Sequence, residues 1–253
     1  MRILIKIGSS LLSKNNRLNL ELLRLKVKEV SKLFSEGHEI IIVSSGAVVS
    51  GMEIENLKER PKDTLKLQLL SGEGQILLMK AYKELFDKEN IKIAQVLLTH
   101  HNLDTDKEGK TITRIINAYL KQKVIPIINE NDLINKEELD NNYLFTDNDI
   151  LAAIIANKLD VNLTVILTDV DGLFDSNPRL NKNPRLIEEV NEINERIKKI
   201  ASSETNNLGK GGMYSKVLAA EMMKTKNIKV IVANGNLNLS DIINNKVKRT
   251  IFK

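Results

Sequence analysis

Residues 3–7 read ILIKI, an apolar run interrupted once by Lys6 and stopped by Gly8-Ser9-Ser10. Similar runs recur at Glu39–Val43, Ile91–Leu98, Val124–Ile128, Leu163–Leu167 and Ile228–Ala233. Short runs with no polar face predict strands buried on both sides, as in a parallel sheet. Between them, apolar residues fall at helical spacing. Leu22, Leu23, Val27, Val30, Leu33 and Phe34 form one stripe, and Gly37 ends it. Leu65–Phe86, Ile150–Leu159 and Met213–Lys226 form three more. The alternation predicts βαβ units, an α/β fold whose mainly parallel sheet is covered on both faces. Asp104–Lys110 reads as a charged loop, and the polar stretch Asp132–Thr146 as a hairpin or flap. There is no Pro/Gly/Ser linker, tandem repeat or low-complexity tract, so nothing divides the chain into independent domains.

Composition narrows the chemistry. The 253 residues contain no cysteine, which excludes disulfides, thiolate metal sites and cysteine nucleophiles. The net charge of +5 raises the question of nucleic acid. The basic residues are scattered among 33 acids, only 4% of residues are aromatic, and no basic run interleaves with stacking residues, so a nucleic-acid partner is not expected. No apolar stretch approaches the roughly 20 residues that span a bilayer. The apolar start is too short for a secretory signal and has no small-residue cleavage site. A soluble, cytoplasmic protein with no membrane partner is expected.

In open α/β sheets, ligands bind beyond the carboxyl ends of the strands. The residues there are Lys6-Ile-Gly8-Ser9-Ser10, Ser44-Ser45-Gly46-Ala47, Leu98-Thr99-His100-His101, Asn129-Glu130-Asn131-Asp132 and Thr168-Asp169-Val170-Asp171-Gly172. Small, hydroxyl and carboxamide residues gathered at one sheet edge suit a polar ligand, with glycine allowing close approach to backbone N–H groups. A second cluster, Leu208-Gly209-Lys210-Gly211-Gly212-Met213-Tyr214-Ser215-Lys216, feeds a helix. Unpaired amides and the helix dipole make such a start an anion site, and Lys216 can point back at it. A third, Thr146-Asp147-Asn148-Asp149, opens the helix Ile150–Leu159; with Asp132 it places carboxylates near two separated lysines, as in a phosphoryl-transfer site.

Other motifs fall away. No GxxxxGK[ST] is present, so this is not a P-loop protein. Gly72-Glu-Gly74 lacks the third glycine of a dinucleotide fingerprint and sits in a helical pattern. The stretch from Asp104 begins like a calcium loop but has Ile115 at position twelve. No metal-binding cluster is expected. His38, His100 and His101 are not framed by carboxylates or glycine turns, so none is expected to act as a base.

Lys6–Ser10, Ser44–Ala47, Gln95–Thr99, Pro126–Asp132, Asp147–Asp149, Leu167–Leu173 and Gly211–Met213 with Lys216 occur in one order along essentially the whole chain. This set resembles the amino acid kinase family, and the Asn-Glu-Asn-Asp stretch followed by Asp-Asn-Asp resembles its glutamate 5-kinase branch most. The resemblance implies a three-layer αβα sandwich of the carbamate kinase-like fold, in one kinase domain. Residues 1–160 or so would form the substrate lobe and 161–253 the nucleotide lobe. It implies ATP-dependent phosphorylation of the side-chain carboxylate of L-glutamate, the first step toward proline, with Mg²⁺. Carried over, Lys6 and Lys216 contact the phosphates and Asp149 orients them. Ser45, Gly46, Ala47, Asp132 and Asn148 hold glutamate. Gly8, Ser9, Thr168, Asp169 and the loop Lys210, Gly211, Gly212, Met213 to Lys216 line the nucleotide site, with Gly8 and its neighbours as N–H donors. The family also suggests feedback inhibition by proline and a homodimer or homotetramer. Many bacterial members carry a C-terminal PUA domain; with the sequence ending at Lys253, none is expected here. Alternatives are a relative acting on another carboxylate or phosphate acceptor, or a non-catalytic ligand sensor.

Three departures from the family pattern stand out. Lys210 replaces a threonine in the glycine loop, Thr146 stands where glycine is usual, and His-His-Asn follows Thr99 in place of an acidic pair.

Overall fold

The computed structural model describes residues 1–134, 148–178, 180–203 and 212–253. The chain opens with β1 (Arg2–Ile7), α1 (Ser9–Leu12), the short hairpin β2 (Ser13–Lys14) and β3 (Arg17–Leu18), α2 (Leu20–Ser35) and β4 (Glu39–Ser44). Next come α3 (Ala47–Ile54), α4 (Thr64–Asp87), β5 (Lys92–Leu98), α5 (His100–Asp104), α6 (Asp106–Lys121) and β6 (Val124–Glu130). The remainder is α7 (Asn148–Lys158), β7 (Leu163–Thr168), β8 (Glu189–Val190), α8 (Glu195–Ser203), α9 (Met213–Lys224), β9 (Lys229–Asn234), α10 (Leu239–Ile243) and β10 (Thr250–Phe252).

Among the described residues, eight strands form one sheet in the order β5-β6-β4-β1-β7-β9-β10-β8. The six from β5 to β9 are mutually parallel, which is the expected arrangement. β10 then pairs antiparallel with β9, and β8 runs alongside β10. From β1 the chain passes to β4 on one side, while β7 flanks β1 on the other. The carboxyl end of β1 is therefore the switch point, where an open α/β sheet forms its crevice.

Strand alternation divides the core into two layers. Ile3, Ile5 and Ile7 pack with Leu23 of α2, Tyr82 of α4 and Ile242 of α10. Leu4, Ile41, Val43 and Ile166 face the other way, against Leu151 and Ile155 of α7 and Val217 and Ala220 of α9. Each fully buried side chain of this kind contributes roughly 1.5–3 kcal/mol before entropy is counted. Lys6 has the parity of Leu4, so its side chain leaves β1 on the α7–α9 side.

The helices α2, α4, α7 and α9 coincide with the apolar stripes to within a residue or two at most ends. Gly37 follows α2 in the left-handed region, φ 88°, as the stop there requires. The expected loop Asp104–Lys110 is instead helical. Thr105 alone separates α5 from α6. Leu103, Ile116 and Leu120 are buried, with Ile112 packed against the same layer, while Lys107, Glu108 and Lys110 form the solvated face of the first turns. Most of the expected flap, 135–147, and the glycine-loop positions 208–211 lie outside the described residues, including Thr146, Lys210 and Gly211.

The helices α3 and α4 touch backbone to backbone. A Cβ on Gly51 would overlap the Leu70 carbonyl, and one on Gly74 would overlap the Ala47 carbonyl. Only glycine permits this approach.

Candidate active site

Three side chains from three elements meet beyond the end of β1. Lys6 Nζ lies 2.5 Å from Asp149 Oδ1, and Lys216 Nζ lies 2.9 Å from Asp149 Oδ2. Asp149 is wholly buried, and the two lysines are nearly so. Asp149 sits in the first turn of α7, where a negative charge opposes the positive end of the helix dipole. Lys216 sits in the first turn of α9 and reaches back to the Gly212 carbonyl at 3.3 Å. Ser215 adds a hydrogen bond to Asp149 Oδ2 at 2.9 Å.

The electrostatics keep Asp149 charged. Burial would push the Asp149 carboxyl up, but the Lys216 and Lys6 ammonium groups override this and hold it well below the usual carboxylate range. One buried carboxylate thus holds two lysine side chains together in a water-poor site.

A second group lies alongside. Asn148, next to Asp149 in α7, donates through Nδ2 to Ser45 Oγ at 3.0 Å and to Asn129 Oδ1 at 3.2 Å. Ser45 follows β4, and its own amide donates to the Ile7 carbonyl at 3.1 Å. Gly46 turns the chain at φ 112° and Ala47 begins α3, so the Ser44–Ala47 stretch is a tight strand-to-helix turn. Asn129 is fixed in turn by donating to Gln75 Oε1 at 2.9 Å. Asp132 is buried against α4 and accepts from Ser71 Oγ at 2.5 Å. Asp132 Oδ1 and Asn148 Oδ1 are buried with no hydrogen-bond partner among the described residues. A cleft of about 390 Å³ lies beside Asp132, lined by Ser71, Gln75, Gln95, Glu130 and Asp132 among others.

On the other side of the triad, Gly8 caps α1. Its amide donates to the Leu167 carbonyl at 3.3 Å, so it is not a free phosphate donor as the sequence suggested. Its contribution is space: a Cβ there would lie 3.2 Å from Leu167 O and 3.7 Å from Lys6 Nζ. Ser9 is exposed in the first turn of α1. Thr168 ends β7 and Asp169 follows it at the surface, the two joined by a 3.2 Å hydrogen bond. Gly212 caps α9, and Met213 is buried behind it.

The model of the amino acid kinase family matches residues 1–234. The chain belongs to the amino acid kinase family. Among curated proteins, this amino acid kinase is 38% identical over 255 residues to a glutamate 5-kinase of Thermoanaerobacter sp. (strain X514), covering 100% of this chain and 68% of that protein. It is 38% identical over 254 residues to the glutamate 5-kinase of Ligilactobacillus salivarius (strain UCC118), covering 99% and 95%. Among solved structures, the carbamate kinase from Giardia lamblia bound to AMP-PNP superposes with a TM-score of 0.65 at 15% identity, covering 100% of this chain and 98% of that one. At that identity the likeness establishes the shared fold.

The sequence picked out the lysines, their carboxylate, Ser45, Asn148 and Asp132. It missed Asn129, Ser71 and Gln75, and the bond from Ser215 to Asp149. Asn129 sat in a strand-end motif and Ser215 beside Lys216, so both had a positional signal. Ser71 and Gln75 had none, because polar residues in a long helix read as its wet face. Among the described residues no group of three or more His, Asp or Glu side chains could hold a metal. Nor is any helix among the described residues long and apolar enough to cross a membrane.

Proposed function

We propose that this amino acid kinase transfers the γ-phosphoryl group of ATP to the side-chain carboxylate of L-glutamate, giving L-glutamyl 5-phosphate and ADP, the first step toward proline. The buried Lys6–Asp149–Lys216 cluster carries the phosphoryl-transfer reading. Relatives named glutamate 5-kinase, matched over nearly the full chain, support glutamate as the acceptor.

A glutamate side chain has a pKa of about 4.3 and is already anionic at neutral pH. No general base is needed. A carboxylate oxygen bonds to the γ-phosphorus as the bond to the β–γ bridging oxygen breaks, and ADP leaves with the electron pair. The obstacle is bringing one anion onto another. The Lys6 and Lys216 ammonium groups, prearranged by Asp149, offset that repulsion and the charge spread over the migrating group. Mg²⁺, when bound with ATP, supplies further neutralisation of the phosphate oxygens.

In this reading Ser45, the Gly46-Ala47 turn, Asn148 and Asp132 hold the acceptor, with the unpartnered oxygens of Asp132 and Asn148 facing its ammonium group. Gly8, Ser9, Thr168, Asp169, Gly212 and Met213 line the nucleotide side; Lys210 and Gly211, assigned to it by the family resemblance, lie outside the described residues. The substrate lobe then spans about 1–160 and the nucleotide lobe 161–253. Proline as feedback inhibitor, a homodimer or homotetramer, and a cytoplasmic setting complete it.

The test is purified protein with ATP, Mg²⁺, L-glutamate and hydroxylamine. Glutamyl hydroxamate is the expected product. Product from aspartate or acetylglutamate but not glutamate would replace the acceptor, and ligand binding without turnover would make the protein a sensor.

A further inference from the structure

One face of α4 carries polar side chains that the phosphoryl-transfer chemistry does not use. Gln68, Ser71 and Gln75 follow helical spacing, and all three bond the end of β6 or the residues just beyond it. Gln68 Nε2 donates to the Asp132 and Leu133 carbonyls at 3.2 and 3.3 Å. Ser71 Oγ donates to Asp132 Oδ2, and Gln75 Oε1 accepts from Asn129 Nδ2. Ser71 and Gln75 are 4% and 9% exposed, so these bonds form with little competition from water.

We propose that Ser71 and Gln75 are positioning residues that set the acceptor preference of the enzyme by locking the orientations of Asp132 and Asn148. This rests on the acceptor site assigned above. The logic is one of donors and acceptors. Ser71 occupies Oδ2 of Asp132 and leaves the buried Oδ1 as the oxygen to be satisfied. Gln75 presents a carbonyl oxygen to Asn129, so Asn129 turns its amino group toward α4. Its own oxygen then accepts from Asn148 Nδ2 and from the Glu130 amide at 3.0 Å. Asn148 spends Nδ2 on Asn129 and Ser45, which leaves Oδ1 as its unpartnered atom. Two buried acceptor oxygens without donors call for a cationic donor from the ligand. The α-ammonium of an amino acid supplies one, and a plain dicarboxylate does not. Residues 71 and 75 are one helical turn apart, about 5–6 Å between Cβ atoms, so one helix face orders both halves of the ammonium subsite.

The experiment compares L-glutamate with glutarate, which lacks the amino group, in wild type, Ser71→Ala, Gln75→Met and the conservative Ser71→Thr and Gln75→Glu. Ser31→Ala is the control, a buried serine on α2 that bonds the Val27 carbonyl far from the site. Ser71→Ala and Gln75→Met should each raise KM for glutamate about tenfold and shrink the preference over glutarate. KM for ATP and kcat at saturating glutamate should stay within about twofold, on the same principle that only an acceptor contact is lost. The conservative variants should recover most of the loss, and Ser31→Ala should lower the melting temperature without moving either ratio. Equal changes in the glutamate and ATP constants, or an unchanged preference over glutarate, would overturn the proposal. If the wild type phosphorylates aspartate instead, the assignment of glutamate fails alone, and Ser71 and Gln75 are judged by the same ratios against succinate. Failure to bind any amino acid by calorimetry would overturn both.

Discussion

Lys216 Nζ lies 2.9 Å from Asp149 Oδ2, on the carboxylate whose other oxygen is taken by Lys6. One buried anion thus spaces two cations that would otherwise repel. Removing either ammonium leaves the carboxylate still paired, so the fold should tolerate Lys6→Met and Lys216→Met. Turnover should not. Each variant should lose about 10²- to 10³-fold in kcat, the cost of deleting one preorganised charge-stabilising group. Hydroxamate assays with circular dichroism as a folding check test this.

Asp149→Asn removes a buried charge that pairs with both lysines. A loss of about 3–5 kcal/mol in urea-measured stability is expected. The pH dependence has a definite sign. The Asp149 carboxyl titrates below its unfolded value despite the opposing effect of burial, because Lys216 and Lys6 favour its charged form. Its contribution is therefore complete above the unfolded pKa of about 3.9 and is lost as pH falls through the lower folded value. The stability gap between wild type and Asp149→Asn should be flat from neutral pH down to about 5 and narrow only below about 4. A gap that widens on acidification would contradict the assignment.

Lys26 and Glu29 form a second buried ion pair, 2.7 Å apart on α2. Lys26 also donates to the Leu237 carbonyl, and Glu29 accepts from the Leu239 amide, so the pair ties α2 to the start of α10. Burial pulls the Lys26 pKa down, and Glu29 opposes that. Lys26→Met should cost about 3–5 kcal/mol by leaving Glu29 buried without its cation. The double variant Lys26→Met with Glu29→Leu should cost clearly less than the sum of the singles. A double-mutant cycle in urea measures the difference.

Gly74→Ala would drive a methyl group into the Ala47 carbonyl. Overpacking of this kind costs about 1–3 kcal/mol, and more where only backbone can yield. The melting temperature should fall, and KM for glutamate should rise because Ala47 belongs to the Ser44–Ala47 turn. Thermal melts and acceptor kinetics on one preparation check both.

The parallel strands were readable because burial on both faces leaves mostly apolar runs, and Lys6 stood out as a charge near the carboxyl end of such a run. The antiparallel partner β10 and the two-residue β8 were not readable, since three or fewer residues carry no periodicity. The helix α6 was hidden by its charged first turns, although Ile112, Ile116 and Leu120 mark its inner face at four-residue steps. Lys6, Asp149 and Lys216 were found through strand ends and helix starts, positions that a linear pattern locates. Ser71 and Gln75 owe their meaning to Asp132 and Asn129 standing opposite, a juxtaposition that exists only once β6 is docked beneath α4.

The side-chain-free seam at Gly51 and Gly74 has a mechanical consequence. With no side-chain layer between α3 and α4, the two helices should move as a single stiff plate, continuous from the Ser44–Ala47 turn to Gln75.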